Sequence, residues 1–347
     1  MTIRSPWLIF ATCVPLTATS AQSTFPELEP NDSKAAATTV DCLSASDQII
    51  GTSTGALSTA GTASSDYFRV RTCALPPGIY EHRLTLLSQN GASIRGVGQT
   101  GVIGSGGFPN ATEIQIQSAQ TTPTRFNLWY GFGRQEQLYY RVTGSASTTG
   151  QYTAVLSTTP ITPTPLGTFS AGAITITTIG QGHLNDTDLW VYDASLSAIA
   201  ACGNDEDINQ STLLSTLTRT YAPGEYYLAI TRYDLANEFG AAADDGWVQG
   251  SCTDYPDLAV HGMVVPPAND DVSFAISDSV STLPVTAAVN TANNKDQVLW
   301  FHLTVVPAAV FHAFCAGDGS LTDHTTPCPC GNNGAAGNGC GHSFDPN

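Results

Sequence analysis

The run Tyr67-Phe-Arg-Val-Arg71, entered through Ser65 and Asp66, decides the fold class. Phe68 and Val70 alternate with Tyr67, Arg69 and Arg71, which is the two-residue period of a strand with one face in a core. Working outward, alternation or a concentration of β-branched and aromatic residues returns at Tyr80 to Leu87, Gln137 to Val142, Tyr152 to Leu156, Ile174 to Thr178 and Asp188 to Tyr192. It continues at Leu213 to Tyr221, Tyr226 to Ile230, Val272 to Ile276 and Val298 to Val305. Turn formers punctuate these runs, as in Pro76-Pro-Gly78, Asn90-Gly91 and Ala222-Pro-Gly224. Ser33-Lys-Ala-Ala-Ala37 is too short to count as a helix. Many short strands with no helices alternating between them predict an all-β chain of sandwiches, not a parallel α/β sheet.

Thr158-Thr-Pro-Ile-Thr-Pro-Thr-Pro165 reads as an extended, semi-rigid connection, because proline fixes φ and removes a donor. It divides the chain into a sandwich over 22–158, a linker over 159–165, a second sandwich over 166–307 and a Cys-rich tail over 308–347. The halves echo one another. Ser65-Asp-Tyr-Phe-Arg-Val70 parallels Thr187-Asp-Leu-Trp-Val-Tyr192, and Pro77-Gly-Ile-Tyr80 parallels Pro223-Gly-Glu-Tyr-Tyr227.

Among 347 residues, 12 Lys+Arg stand against 29 Asp+Glu, a net charge of −17. That balance excludes a nucleic-acid binder and attraction to an anionic membrane, since both need a basic face. At 41% hydrophobic and 9% aromatic residues the chain is not disordered and can bury sizeable cores. With only 12% charged residues, its carboxylates are gathered in a few loops, not spread as a coat.

Met1-Thr-Ile-Arg4 supplies a positive start, Trp7 to Leu16 an apolar stretch, and Thr19-Ser20-Ala21 a small-residue cleavage site. Residues 1–21 therefore read as a signal peptide cut after Ala21, and the mature chain as secreted or held at the cell surface with no transmembrane segment. Cleavage removes Cys13 and leaves eight of the nine cysteines, an even number that in an exported chain reads as disulfides. Their distribution gives one bridge per sandwich, from Cys42 and Cys73 and from Cys202 and Cys252, and two in the tail among Cys315, Cys328, Cys330 and Cys340. Cys328 and Cys330 are too close to bridge each other easily, so each pairs with Cys315 or Cys340. Leu283-Pro-Val-Thr286, which looks like a cell-wall sorting signal, lacks the hydrophobic tail and reads as a strand edge.

Glu27-Leu-Glu-Pro-Asn-Asp-Ser33, then Ala35-Ala-Ala37, Gly51, Ser65-Asp-Tyr-Phe-Arg-Val70 and Gly150-Gln-Tyr-Thr-Ala-Val-Leu156 follow one another in order. This order resembles the bacterial pre-peptidase C-terminal domain, whose E-x-E-P-N-D-S opening leads to an aspartate-aromatic strand and a closing G-x-Y strand. The second half repeats the later part in Asp186 to Asp193, Pro223 to Ile230 and Val272 to Ile276, without the Glu-Pro-Asn-Asp opening. The resemblance implies two tandem jelly-roll-like β-sandwiches, non-catalytic modules that accompany secreted peptidases and other exported enzymes and bind matrix or polysaccharide in some members. This chain departs from the pattern in having no peptidase domain before it. The tail, from Phe314 to Ser343, resembles a Cys-rich motif of large bacterial exported proteins that usually leads into another β domain, so an end at Asn347 reads as truncation or a short stapled cap. Cys328-Pro-Cys330 with His324 and His342 also has the residue types of a zinc site, but export and Gly/Asn-rich turns favour disulfides.

Two sets of carboxylates and amides have the hard oxygen donors that calcium takes six to eight at a time. Asp186, Asp188, Asn204, Asp205 and Asp207 form one candidate set in the second half, and Glu29, Asn31, Asp32 and Asp66 another in the first. The same residue types also make solvated loops and Asx-turns, and neither set has EF-hand spacing. No His-Glu-x-x-His, Gly-x-Ser-x-Gly or papain-like cysteine context is present, so the chain is read as not an enzyme. His82 and His302 fall inside strand patterns as packed or half-exposed residues, while Trp129-Tyr-Gly-Phe-Gly133 and Trp247 are candidates for an exposed carbohydrate platform, although the Trp and Tyr residues of a sandwich are more often core or edge residues. The expectation is a binding or structural module for an extracellular glycan, matrix or envelope component. The alternative is an accessory module of a secreted peptidase or other hydrolase.

Overall fold

The computed structural model describes residues 22–54, 65–88, 97–103, 125–144, 149–182, 186–205, 212–231, 235–240, 255, 257–261, 272–287 and 298–308. Residues 1–306 group as one compact unit and 307–347 as another. Residues 1–21, expected to be a signal peptide, lie outside the described residues, as do Cys252 and the four tail cysteines.

Strands fill most of the described chain. The first half carries β1 (Thr24–Pro26), β2 (Thr38–Leu43), β3 (Gln48–Thr54), β4 (Ser65–Thr72), β5 (Ile79–Ser88), β6 (Val97–Ile103), β7 (Arg125–Gly131), β8 (Gln137–Gly144) and β9 (Thr149–Ile161). The second carries β10 (Thr164–Ser170), β11 (Gly172–Thr177), β12 (Asp188–Tyr192), β13 (Ala198–Asn204), β14 (Thr216–Tyr221) and β15 (Gly224–Thr231). These are followed by β16 (Leu235–Ala236), β17 (Leu258–His261), β18 (Val272–Ser277), β19 (Thr282–Ala287) and β20 (Leu299–Val306). One short 3-10 turn occupies Lys34–Ala36.

The strands make four sheets, in the orders β1-β3-β9-β5-β7-β17-β16, β2-β4-β8-β6, β10-β20-β15-β12-β13 and β14-β11-β18-β19. Alternation packs them in pairs. In the first sandwich Val40, Phe68, Val70, Leu138 and Val142 from the four-stranded sheet meet Ile49, Leu84, Leu86, Ala154 and Leu156 from the seven-stranded one. In the second, Ile174, Ile176, Leu217, Phe274 and Ile276 meet Leu189, Val191, Leu228, Ile230, Phe301 and Leu303. The fold is thus an all-β double sandwich, as the strand patterns predict.

A third core joins the two. Ile79, Tyr130 and Phe132 from the first half pack with Trp190, Tyr192, Ala229 and Trp300 from the second. Tyr192 and Trp300 have ring centroids 5.1 Å apart, and Phe132 meets Trp300 edge-on at 5.8 Å. The five-stranded sheet is therefore covered on both faces, which explains why every residue of β12 is buried. The segment expected as a linker takes part in this union. Residues up to Ile161 pair with β5, where Ile161 faces Ile79, and β10 begins at Thr164, so Thr162 and Pro163 alone separate the two strands. Further along, Leu258 and Ala259 of β17 pair with Gly131 and Tyr130 of β7, and the second half lends a hairpin to the first half's sheet.

Cys42 and Cys73 form the expected bridge, with Cα atoms 4.1 Å apart. Cys202 is a buried thiol without a disulfide among the described residues, and Cys252, its expected partner, lies outside them. The Cys202 side chain belongs to the second core, and burial pushes its pKa up. Trp129-Tyr-Gly-Phe-Gly133 takes the core placement of the two readings, not the exposed platform, because Trp129, Tyr130 and Phe132 are all buried. Both faces of β7 are covered: Trp129 stacks on His82 at 5.4 Å, while Tyr130 and Phe132 enter the third core. Trp247 lies outside the described residues. Leu283-Pro-Val-Thr286 lies in β19, an edge strand where a missing N–H does no harm.

Candidate metal centres

Each half gathers three carboxylates at the entry to one strand. In the first, Asp66 is the second residue of β4, while the chain leading from β1 brings Glu27 and Glu29 beside it. Just past the end of β1, one carboxylate oxygen each of Glu27, Glu29 and Asp66 lies within 4.8 Å of the others. Glu27 Oε1 accepts from the Thr52 N–H at 2.7 Å, and the Tyr152 hydroxyl donates to Asp66 Oδ2 at 2.8 Å and lies 3.3 Å from Glu27 Oε2. A Cβ at Gly51 would run into both that hydroxyl and the Glu27 carboxylate, so the site's floor admits only glycine. Burial, with the charges of Asp66 and Glu29 adding to it, pushes Glu27 up to about 7.

The second centre is built the same way at the start of β12. Asp186 and Asp188 arrive on alternate positions, and Asp205 comes from the end of β13. Thr187, between the two aspartates, is held by buried hydroxyl contacts: its Oγ1 lies 2.7 Å from Thr178 Oγ1 and accepts from the Ser215 N–H at 3.2 Å. Asp188 is fully buried; its Oδ2 accepts from the Leu235 N–H at 2.6 Å, and its Oδ1 meets no hydrogen-bond partner among the described residues. Burial and the nearby Asp205 and Asp186 charges push Asp188 well above the usual carboxylate range.

Of the residues singled out in the sequence, Glu29 and Asp66 come together in the first centre, and Asp186, Asp188 and Asp205 in the second. Asn31 is buried beside the first, its N–H on Glu29 Oε2 at 3.1 Å and its side-chain Nδ2 on Thr38 Oγ1 at 3.3 Å. Asp32 points to solvent outside the cluster, and Asn204 spends its side-chain oxygen on the Thr216 N–H. Asp207 lies outside the described residues. Glu27 was missing from the candidate set, although the Glu-x-Glu spacing that opens the signature carries the signal for it.

The donor sets fit a hard cation. Oxygens sharing one calcium shell, at 2.3–2.6 Å from the ion, lie no further apart than about 5 Å. In each cluster one oxygen from every carboxylate lies within 4.8 Å of the others. A buried oxygen without a donor, facing other carboxylates, is the state that a bound cation relieves.

No family model matches the chain, and comparison with curated proteins finds no match.

Proposed function

We propose that the protein is an exported, non-catalytic β-sandwich module, acting outside the cell as a binding or structural element, and that calcium is held in both halves. The observation that carries the calcium assignment is Asp188, a fully buried carboxylate inside a three-carboxylate cluster, one of whose oxygens meets no donor among the described residues. Glu27, Glu29 and Asp66 would hold the ion in the first half, and Asp186, Asp188 and Asp205 in the second. The ion would supply charge neutralisation alone: it would let strand entries that otherwise repel one another close on the sheet. Sites of few protein ligands bind calcium at about 10⁻⁴–10⁻³ M, which suits extracellular calcium and not the cytosol. The resemblance to the pre-peptidase C-terminal domain supports the same compartment and a non-catalytic role.

Thermal melting of the full chain in excess calcium and in chelator tests the reading. A hundredfold excess over Kd adds about 2.7 kcal/mol per site, so the midpoint rises by several degrees with calcium. Asp66→Asn combined with Asp188→Asn removes the response. Superimposable melting curves in calcium and chelator would sink the calcium assignment.

A further inference from the structure

Four of the chain's twelve Lys+Arg, namely Lys34, Arg69, Arg71 and Arg141, meet on the outward face of the β2-β4-β8-β6 sheet, in a protein of net charge −17. The strand period that sends Phe68 and Val70 inward sends Tyr67, Arg69 and Arg71 outward from β4, and Gln137, Tyr139 and Arg141 outward from β8. Register sets Tyr67 opposite Arg141 and Arg69 opposite Tyr139. Arginines and tyrosines thus alternate as a checkerboard. The Arg141 guanidinium lies 6.0 Å from the Tyr67 ring centroid, and Lys34 Nζ lies 5.2 Å from that of Tyr139. Asp41 is the single acid among the described residues of this face and is engaged by Arg71, whose Nε donates to its Oδ1 at 2.6 Å. Arg69 is exposed, its guanidinium 3.3 Å from Thr39 Oγ1. Thr39, Asp41, Arg69, Arg71 and Gln137 line a cavity of about 170 Å³, too small for a drug-sized molecule.

We propose that this face binds an acidic polysaccharide, a pyranose chain bearing carboxylate or sulfate groups. The proposal rests on the binding-module reading above and names its ligand class. Arginines two apart on one strand are roughly 7 Å apart, and diagonal cross-strand neighbours about 7–8 Å. Guanidinium forks at that spacing meet anionic groups that recur along a stiff chain, and pair with them bidentately. The half-buried tyrosines between them offer rigid rings on which the C–H faces of sugars can lie. Charge density separates this partner from nucleic acid. A duplex carries a charge every 1.7 Å or so, far denser than cations set about 7 Å apart; a polysaccharide charged on every sugar or every second one is much closer to that spacing.

The test is retention of the full chain, in millimolar calcium and low salt, on immobilised chondroitin sulfate and hyaluronan, with dextran as neutral matrix and poly-glutamate as bare charge. Retention on one or both acidic glycans, with the two arms telling sulfate from carboxylate, is expected to disappear as salt rises to about 0.5 M. Arg69→Glu is expected to weaken it at least tenfold while leaving the melting temperature unchanged. Equal retention on poly-glutamate, undiminished binding by Arg69→Glu, or dimerisation of the free chain that Arg69→Glu abolishes would each overturn the proposal. Retention on dextran alone would overturn it and leave the binding-module reading standing, whereas failure on every matrix would count against both.

Discussion

His82 is buried in β5, its ring stacked on Trp129 and its Nδ1 3.0 Å from Thr158 Oγ1, while Nε2 has no hydrogen-bond partner among the described residues. Burial, partly offset by the charge of Glu136, lowers its pKa from 6.5 to about 4. The unfolded chain therefore takes up this proton at a higher pH than the native one. Stability rises with pH between about 4 and 6.5, by roughly 3 kcal/mol at 1.36 kcal/mol per unit. Denaturant melts from pH 4 to 7 check this: His82→Phe, which keeps the stack, is expected to flatten that part of the profile relative to the wild type. The sequence showed His82 as a strand residue but not its silence as a base, because the ring that covers it comes from β7, more than forty residues away.

At the scale of the element, the connection from β7 to β8 is organised by Glu136. Its Oε1 accepts the N–H groups of Phe132 at 2.5 Å and Arg134 at 2.8 Å, and its Oε2 the Thr72 hydroxyl at 2.7 Å. Burial works against the charge, but these hydrogen bonds outweigh it and hold the pKa below the usual carboxylate value. Its contribution is thus present above the ordinary carboxylate range and is lost as pH falls through the depressed pKa. Glu136→Gln, which turns one acceptor into a donor against buried donors, is expected to cost about 2–3 kcal/mol in denaturant unfolding; a loss below half of that would refute the assignment. Strands with one solvated face, such as β4 and β8, were legible from alternation. β12 was legible only as an apolar run, since both its faces are covered. The parallel pairings of β2 with β4 and β10 with β20 were not legible, because contacts between distant strands leave no local pattern. The candidate centres were half legible for the same reason. Asp186 and Asp188 are near neighbours, whereas the union of Glu27 with Asp66 and of Asp188 with Asp205 depends on how strands return.

At the scale of the whole molecule, the third core makes the two sandwiches one cooperative body. Trp300, nearly buried, sits at its centre against Tyr130, Phe132 and Tyr192. Trp300→Ala is expected to cost about 3–5 kcal/mol and to split a single calorimetric transition into two. Two transitions in the wild type would contradict that coupling. The echo predicted two similar halves, and the prolines at 160, 163 and 165 suggested a spacer between them; extended backbone in a ladder satisfies the same φ restriction. The hairpin of β16 and β17 gives this union a further consequence. β7 lies between β5 and β17, so its second row of N–H and C=O groups faces a strand encoded more than a hundred residues later. Without that strand, the first half would end in a bare sheet margin, an open template for pairing with another copy. The later half thus shields the earlier one from self-templating.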